Sequence, residues 1–142
     1  MPAVALTHLA LHVQKLEDSV AFYERHCAMR CIHRRNHATG SVAWLAEPGR
    51  ERDFVLVFIS GGPRRSAEGA DFSHLGFALQ SRAAVDAIAE QARAEGCLAW
   101  EPRDEPYPVG YYCGLRDPDG QIVEFSYGQP LGPGAEPLEL QE

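Results

Sequence analysis

With 142 residues, 45% of them apolar, the chain has material for one compact domain with its own core, and its net charge of −7 excludes the clustered cations that nucleic-acid binding requires. The arginine pairs Arg34-Arg35 and Arg64-Arg65 stand isolated, as in solvated loops, and no apolar segment approaches the roughly 20 residues needed to span a bilayer or follows a basic leader. The cysteines Cys27, Cys31, Cys97 and Cys113 form no CxxC pair, which excludes a zinc knuckle or thioredoxin-type motif and fits a reducing, cytoplasmic setting.

Residues 4–13 alternate as a strand, with Leu9, Leu11 and Val13 on one face and His8, Ala10 and His12 on the other. A helix follows over 17–26, where Val20, Tyr23 and Cys27 cover one side. Three strands are expected near 30–36, 41–46 and 53–60, divided by Thr39-Gly40 and Pro48-Gly49. A strand over 71–79 then leads to Ser81, a good N-cap, and an alanine-rich helix ends at Gly96. Strands near 98–103, 109–116 and 121–127 complete the series, the last two joined by Asp117-Pro118-Asp119-Gly120. The tail, 129–142, is rich in Pro, Gly and Glu, and flexibility without chemistry is expected of it.

The order of elements repeats because the sequence repeats. Thr7-His8-Leu9-Ala10-Leu11-His12-Val13-Gln14 recurs as Ser73-His74-Leu75-Gly76-Phe77-Ala78-Leu79-Gln80, an offset of 74 − 8 = 66. This offset extends ungapped to Cys31-Ile32 and Cys97-Leu98, and it has grown by one where Val57-Phe58 meets Glu124-Phe125. The expected class is α+β: two tandem βαβββ modules, 3–61 and 71–128, in one domain over 1–128 with an open, cupped mixed sheet.

His8 and His74 occupy equivalent, inward-facing places on the first strand of each module, so a pseudo-two-fold would bring the imidazoles together. Glu124 sits mid-strand among apolar neighbours, where an unpaired carboxylate is costly and a cation is needed. Two histidines and one carboxylate hold a divalent ion and leave positions open for water and substrate, unlike a closed structural zinc site.

The residues around that set carry a resemblance. His8-x-x-Leu11-x-Val13, then Leu16-Glu17-Asp18-Ser19-Val20-Ala21-Phe22-Tyr23, then His74, and finally Asp117-Pro118-Asp119-Gly120-Gln121-Ile122-Val123-Glu124-Phe125 resemble the vicinal oxygen chelate superfamily. That group comprises glyoxalases, bleomycin resistance proteins and ring-cleaving dioxygenases. The resemblance spans about residues 4–127 and implies a mononuclear ion (Fe, Mn, Zn, Ni or Co) on His8, His74 and Glu124. Glyoxalase I places a fourth ligand, Glu or Gln, where this chain has Val57, so three ligands look more like the extradiol dioxygenases and the fosfomycin-modifying enzymes. The latter surround a phosphonate with cations, and here the stretch before Glu124 offers Arg103 and Arg116 but no lysine.

Strand parity suggests the supporting residues. A one-residue bulge in the last hairpin sets Tyr112 beside the metal, where it can hydrogen-bond a metal-bound oxygen; without the bulge, Tyr111 and Cys113 face inward. His12 lies about 13 Å from His8 along the strand, too far to share its ion, and suits an acid or base at the rim. His33, Arg35, Trp44 and Trp100 are candidate lining residues, and Arg103 a candidate for binding substrate.

Three readings of function compete. An oxygenase-like enzyme acting on a vicinal diol is favoured by the three-ligand set. A glyoxalase-like lyase or isomerase, or a fosfomycin-type thiol transferase, follows from the module pattern. A protein that sequesters a small molecule without catalysis is the third. A small-molecule substrate and a homodimer are expected, with the ligands drawn from one chain or from two.

Overall fold

A computed structural model describes residues 3–64, 71–132 and 135. The order is β1 (His8–His12), α1 (Leu16–Cys27), β2 (Arg30–His37), β3 (Gly40–Ala46) and β4 (Val55–Ile59), then β5 (His74–Ala78), α2 (Arg82–Glu95), β6 (Leu98–Glu105), β7 (Gly110–Arg116) and β8 (Ile122–Tyr127). Each four-stranded sheet has the order first, fourth, third, second, with its first and last strands parallel and the other pairs antiparallel. This is the expected α+β pair of βαβββ modules. The chain divides into two compact units, Met1–Glu68 and Gly69–Glu142, each with its own sheet and helix. Of the tail expected to be flexible, residues 133–134 and 136–142 lie outside the described residues. No helix among the described residues is long and apolar enough to cross a membrane.

In the first unit, α1 carries Glu17 and Asp18 in its first turn and Arg25 and His26 in its last, which complements the helix dipole. Its buried Val20 and Tyr23 face the sheet, where the Tyr23 and Phe58 rings lie 5.0 Å apart over a layer that includes Leu45 and Leu56. Arg34 pairs with Glu17 of the helix, so β2 turns Arg34 toward α1 and, by alternation, His33 and Arg35 away from it. His8, Ala10 and His12 share that second face with Val55, Val57 and Ile59.

In the second unit the Ser81 hydroxyl accepts the Ala84 amide at 3.0 Å, the N-cap its sequence position promised. Val85, Ala89 and Ala92 of α2 are buried, as are Cys113, Leu115, Val123 and Phe125 of the sheet. Phe77 stacks on Phe125 at 5.8 Å. Burial among these groups pushes the Cys113 thiol up to about 12, so it stays protonated and inert at ordinary pH.

Pairing corrects one detail of the repeat. Cys31 pairs with Leu45 and Leu98 with Leu115, so Cys31 corresponds to Leu98 at an offset of 98 − 31 = 67, and not to Cys97. The added residue enters between the helix starts and the second strands, where α2 has 14 residues against 12 in α1.

The connection from β7 to β8 sets the faces of the second sheet. The Asp117 amide donates to the Gln121 carbonyl, the Gly120 amide donates to the Asp117 carbonyl, and Gly120 adopts φ +83°. Three residues therefore lie between the last paired positions, closed by a glycine in the left-handed region, the bulged hairpin turn. One Asp117 carboxylate oxygen also accepts the Asp119 and Gln121 amides, each at 2.9 Å. Asp117→Ala is expected to lower stability by about 2 kcal/mol, because two amides lose a charged acceptor; a urea midpoint unchanged from wild type would contradict this.

Candidate metal centre

The odd-length turn pairs Tyr112 with Ser126 and Gly114 with Glu124. Glu124 also pairs with Gly76 on its other side, so the carboxylate stands between two residues without side chains. A Cβ on Gly76 would lie 3.4 Å from Glu124 Oε2, and a Cβ on Gly114 would lie 2.7 Å from the Trp100 ring. The first glycine leaves room for the carboxylate, and the second lets the indole lie flat over the sheet.

His74 opens β5 on the same face. Its Nδ1 lies 2.7 Å from the carbonyl oxygen of Phe72, which only accepts, so Nδ1 carries the proton. This leaves Nε2 directed at Glu124, 3.8 Å from its Oε1. The Glu124 carboxylate, set in a largely apolar sheet, calls for a positive charge beside it. The gap exceeds the 2.7–3.2 Å of an N–H···O bond and fits two donors that each lie about 2.1 Å from one ion. Backbone anchoring of the remote nitrogen also fixes the tautomer and ring orientation that a ligating histidine requires.

Aromatic groups wall this position. The Trp100 ring meets His74 edge-on at 5.4 Å and Tyr112 at 6.3 Å. Glu124 is 8% exposed despite its charge, and the Gln129 side-chain amide reaches its Oε2 at 3.5 Å.

The remaining candidates divide by unit and by face. In the first unit His8 opens β1 as His74 opens β5, with Nδ1 3.0 Å from the Thr7 hydroxyl. His12 lies on the same face, its ring packed where a side chain on Gly62 would be. His33 meets Trp44 edge-on at 5.1 Å, and Trp44 pairs with Val57. In the second unit Arg103 pairs with Tyr112 and shares the face of Glu124.

Tyr111 does not share that face. Its hydroxyl donates to Asp86 of α2, and the Arg82 guanidinium lies 3.9 Å from its ring centre. The Asp86 carboxylate holds Tyr111 above the ordinary phenol value. The three-residue turn is the cause, because it sends odd-numbered β7 side chains to the helix. Residues not singled out from sequence are Gly76, Gly114, Ser126 and Gln129. The glycines have no chemistry of their own to mark them, and Gln129 follows the last strand without a motif.

This fold and donor set define a class, and the comparisons agree. The chain belongs to the glyoxalase/bleomycin resistance protein/dioxygenase superfamily, whose family model matches residues 5–125. It is 62% identical over 135 residues to an uncharacterized protein of Pseudomonas aeruginosa, covering 95% of this chain and 96% of that one. A glyoxylase/bleomycin resistance protein/dioxygenase domain from Frankia sp. EAN1pec has the same fold, with a TM-score of 0.69 at 22% identity over 90% of this chain and 100% of that one. So does the trypanothione-dependent glyoxalase I of Leishmania major, with a TM-score of 0.69 at 18% identity over 89% of this chain and 88% of that one. A mutant fosfomycin resistance protein of Listeria monocytogenes, solved with Mn(II) and 1S,2S-dihydroxypropylphosphonic acid, has a TM-score of 0.65 at 22% identity, covering 89% and 93%.

Gly114→Ala tests the packing of the indole. A methyl group 2.7 Å from the ring forces Trp100 off the sheet, with an expected loss of about 1–3 kcal/mol and altered tryptophan emission. Unchanged emission and melting temperature would show that the ring is not held against Gly114.

Proposed function

We propose that the protein is a metal-dependent enzyme that grips a small substrate through two neighbouring oxygens, with a divalent ion on His74, Glu124 and His8. The observation that carries this reading is Nε2 of His74 facing the Glu124 carboxylate across 3.8 Å while Nδ1 is anchored to the Phe72 carbonyl. When bound, the ion supplies Lewis acidity to the chelated oxygens and, as Fe(II), a place for dioxygen. The protein's own groups do the rest. The Phe72 carbonyl keeps the imidazole in its ligating tautomer, Gln129 steadies Glu124, and Trp100 braces the imidazole edge-on.

The reaction we assign is oxygenase-like attack on a vicinal diol. Its support is Val57, an apolar residue at the place equivalent to Glu124, which leaves three protein donors and an open half-shell.

Elemental analysis of untagged protein is expected to give one divalent ion per chain. His74→Ala and Glu124→Ala should each weaken retention by more than about 100-fold, and the Fe(II) protein should consume oxygen with catechols. Metal bound without oxygen uptake across a broad catechol panel would sink the oxygenase assignment, and turnover of methylglyoxal hemithioacetal would put an isomerase in its place. Absence of stoichiometric metal, with ligand affinity intact in His8→Ala, would overturn the enzyme reading altogether.

A further inference from the structure

The pairing of the second sheet arranges its exposed-face side chains in rows that cross the strands. One row runs Gly76, Glu124, Gly114, Trp100 and belongs to the ion. The next runs Ala78, Ser126, Tyr112, Arg103, about 7 Å farther along the strands at ~3.3 Å per residue. It holds three hydrogen-bond donors in succession, and the described structure satisfies none of them. Ser126 is 2% exposed, yet its hydroxyl has no protein partner among the described residues. The same is true of the Tyr112 hydroxyl and the Arg103 guanidinium, although Asp104, the neighbour of Arg103, pairs with Arg82 on the helix side. A buried hydroxyl without a partner is costly, so its retention points to a ligand that completes it.

We propose that this row binds an oxyacid group of the substrate, and that the substrate is a small acid whose vicinal oxygens lie a few bonds from its carboxylate or phosphonate. The inference rests on the metal-chelating reading above and narrows it. All three groups donate: the Ser126 and Tyr112 hydroxyls each give an O–H, and the Arg103 guanidinium gives a planar fork that matches two oxyanion oxygens. A neutral catechol leaves these donors unmet, whereas an acid meets them and holds the diol end in the row of Glu124. The carboxylates turned to the same face are Glu124 itself and Glu105, at the far end of β6. Glu124 is offset by its ion, and Glu105 lies beyond Arg103, so the guanidinium stands between it and the anion.

The test uses tryptophan fluorescence titration of zinc-loaded protein with matched pairs, 3,4-dihydroxybenzoate against 4-methylcatechol and 1,2-dihydroxypropylphosphonate against propane-1,2-diol. Each acid is expected to bind at least about ten-fold tighter than its neutral partner. Ser126→Ala and Arg103→Gln should each reduce that ratio by about ten-fold while leaving neutral-diol affinity and zinc content unchanged. A preference for only one acid identifies which oxyacid the row takes. Equal binding of acid and neutral partner, or a preference untouched by both substitutions, overturns the proposal. Failure of the metal reading is separate: zinc would not be retained, while benzoate would still bind more tightly than benzyl alcohol if the row is an anion site.

Discussion

The parity of one strand pairing governs the second unit. Side chains alternate along a strand, so a slip of one residue between β7 and β8 would turn Glu124 into the layer beneath α2 and bring Val123 and Phe125 out. The turn over Asp117–Gln121 prevents this by holding three residues between the paired ends, with Gly120 in a conformation that other residues resist. The position of Trp100 over Gly114, the place of Tyr112 beside Ser126 and the packing of Cys113 under Val85 all follow from that count. A loop without catalytic groups thus decides which groups share the face of Glu124 and which form the core.

The two modules show how a common architecture has been used differently. Around Glu124 the cross-strand neighbours are Gly76 and Gly114; around Val57 they are Ala10 and Trp44. Beyond them Trp100 occupies the place that His33 holds in the first unit. The second unit keeps space beside a charge, and the first fills the same space with apolar surface. Val57 is therefore one part of a concerted change across three strands. Of these two equivalent strand positions, only the one in the second unit carries a carboxylate.

Much of this was legible in the sequence, for reasons that can be named. The ten elements follow from alternation, from Ser81 and Gly96 at the ends of α2, and from turn residues whose chemistry is local. The duplication placed His8 and His74 at matching positions, and an isolated carboxylate in an apolar strand marked Glu124. Choosing between Tyr111 and Tyr112 was not possible, because it depends on a loop's residue count in three dimensions rather than on its composition. The bulged alternative already set Gly114 opposite Glu124 and Ser126 opposite Tyr112, as the pairing has them, but what these residues do there stayed hidden, as did Gly76, for a related reason. Their importance lies in what a neighbouring strand sets against them, and no pattern along one strand reports its partner's register.

The paired glycines beside Glu124 bear on the history of the chain. A duplicated module begins with two interchangeable halves, and each later substitution narrows what the other half can still become. With Trp44 where the second unit has a glycine and the Ala10 methyl group on its other side, a carboxylate at position 57 would meet neighbours that Glu124 does not. A single substitution at position 57 would therefore not give the first unit the surroundings that Glu124 has in the second.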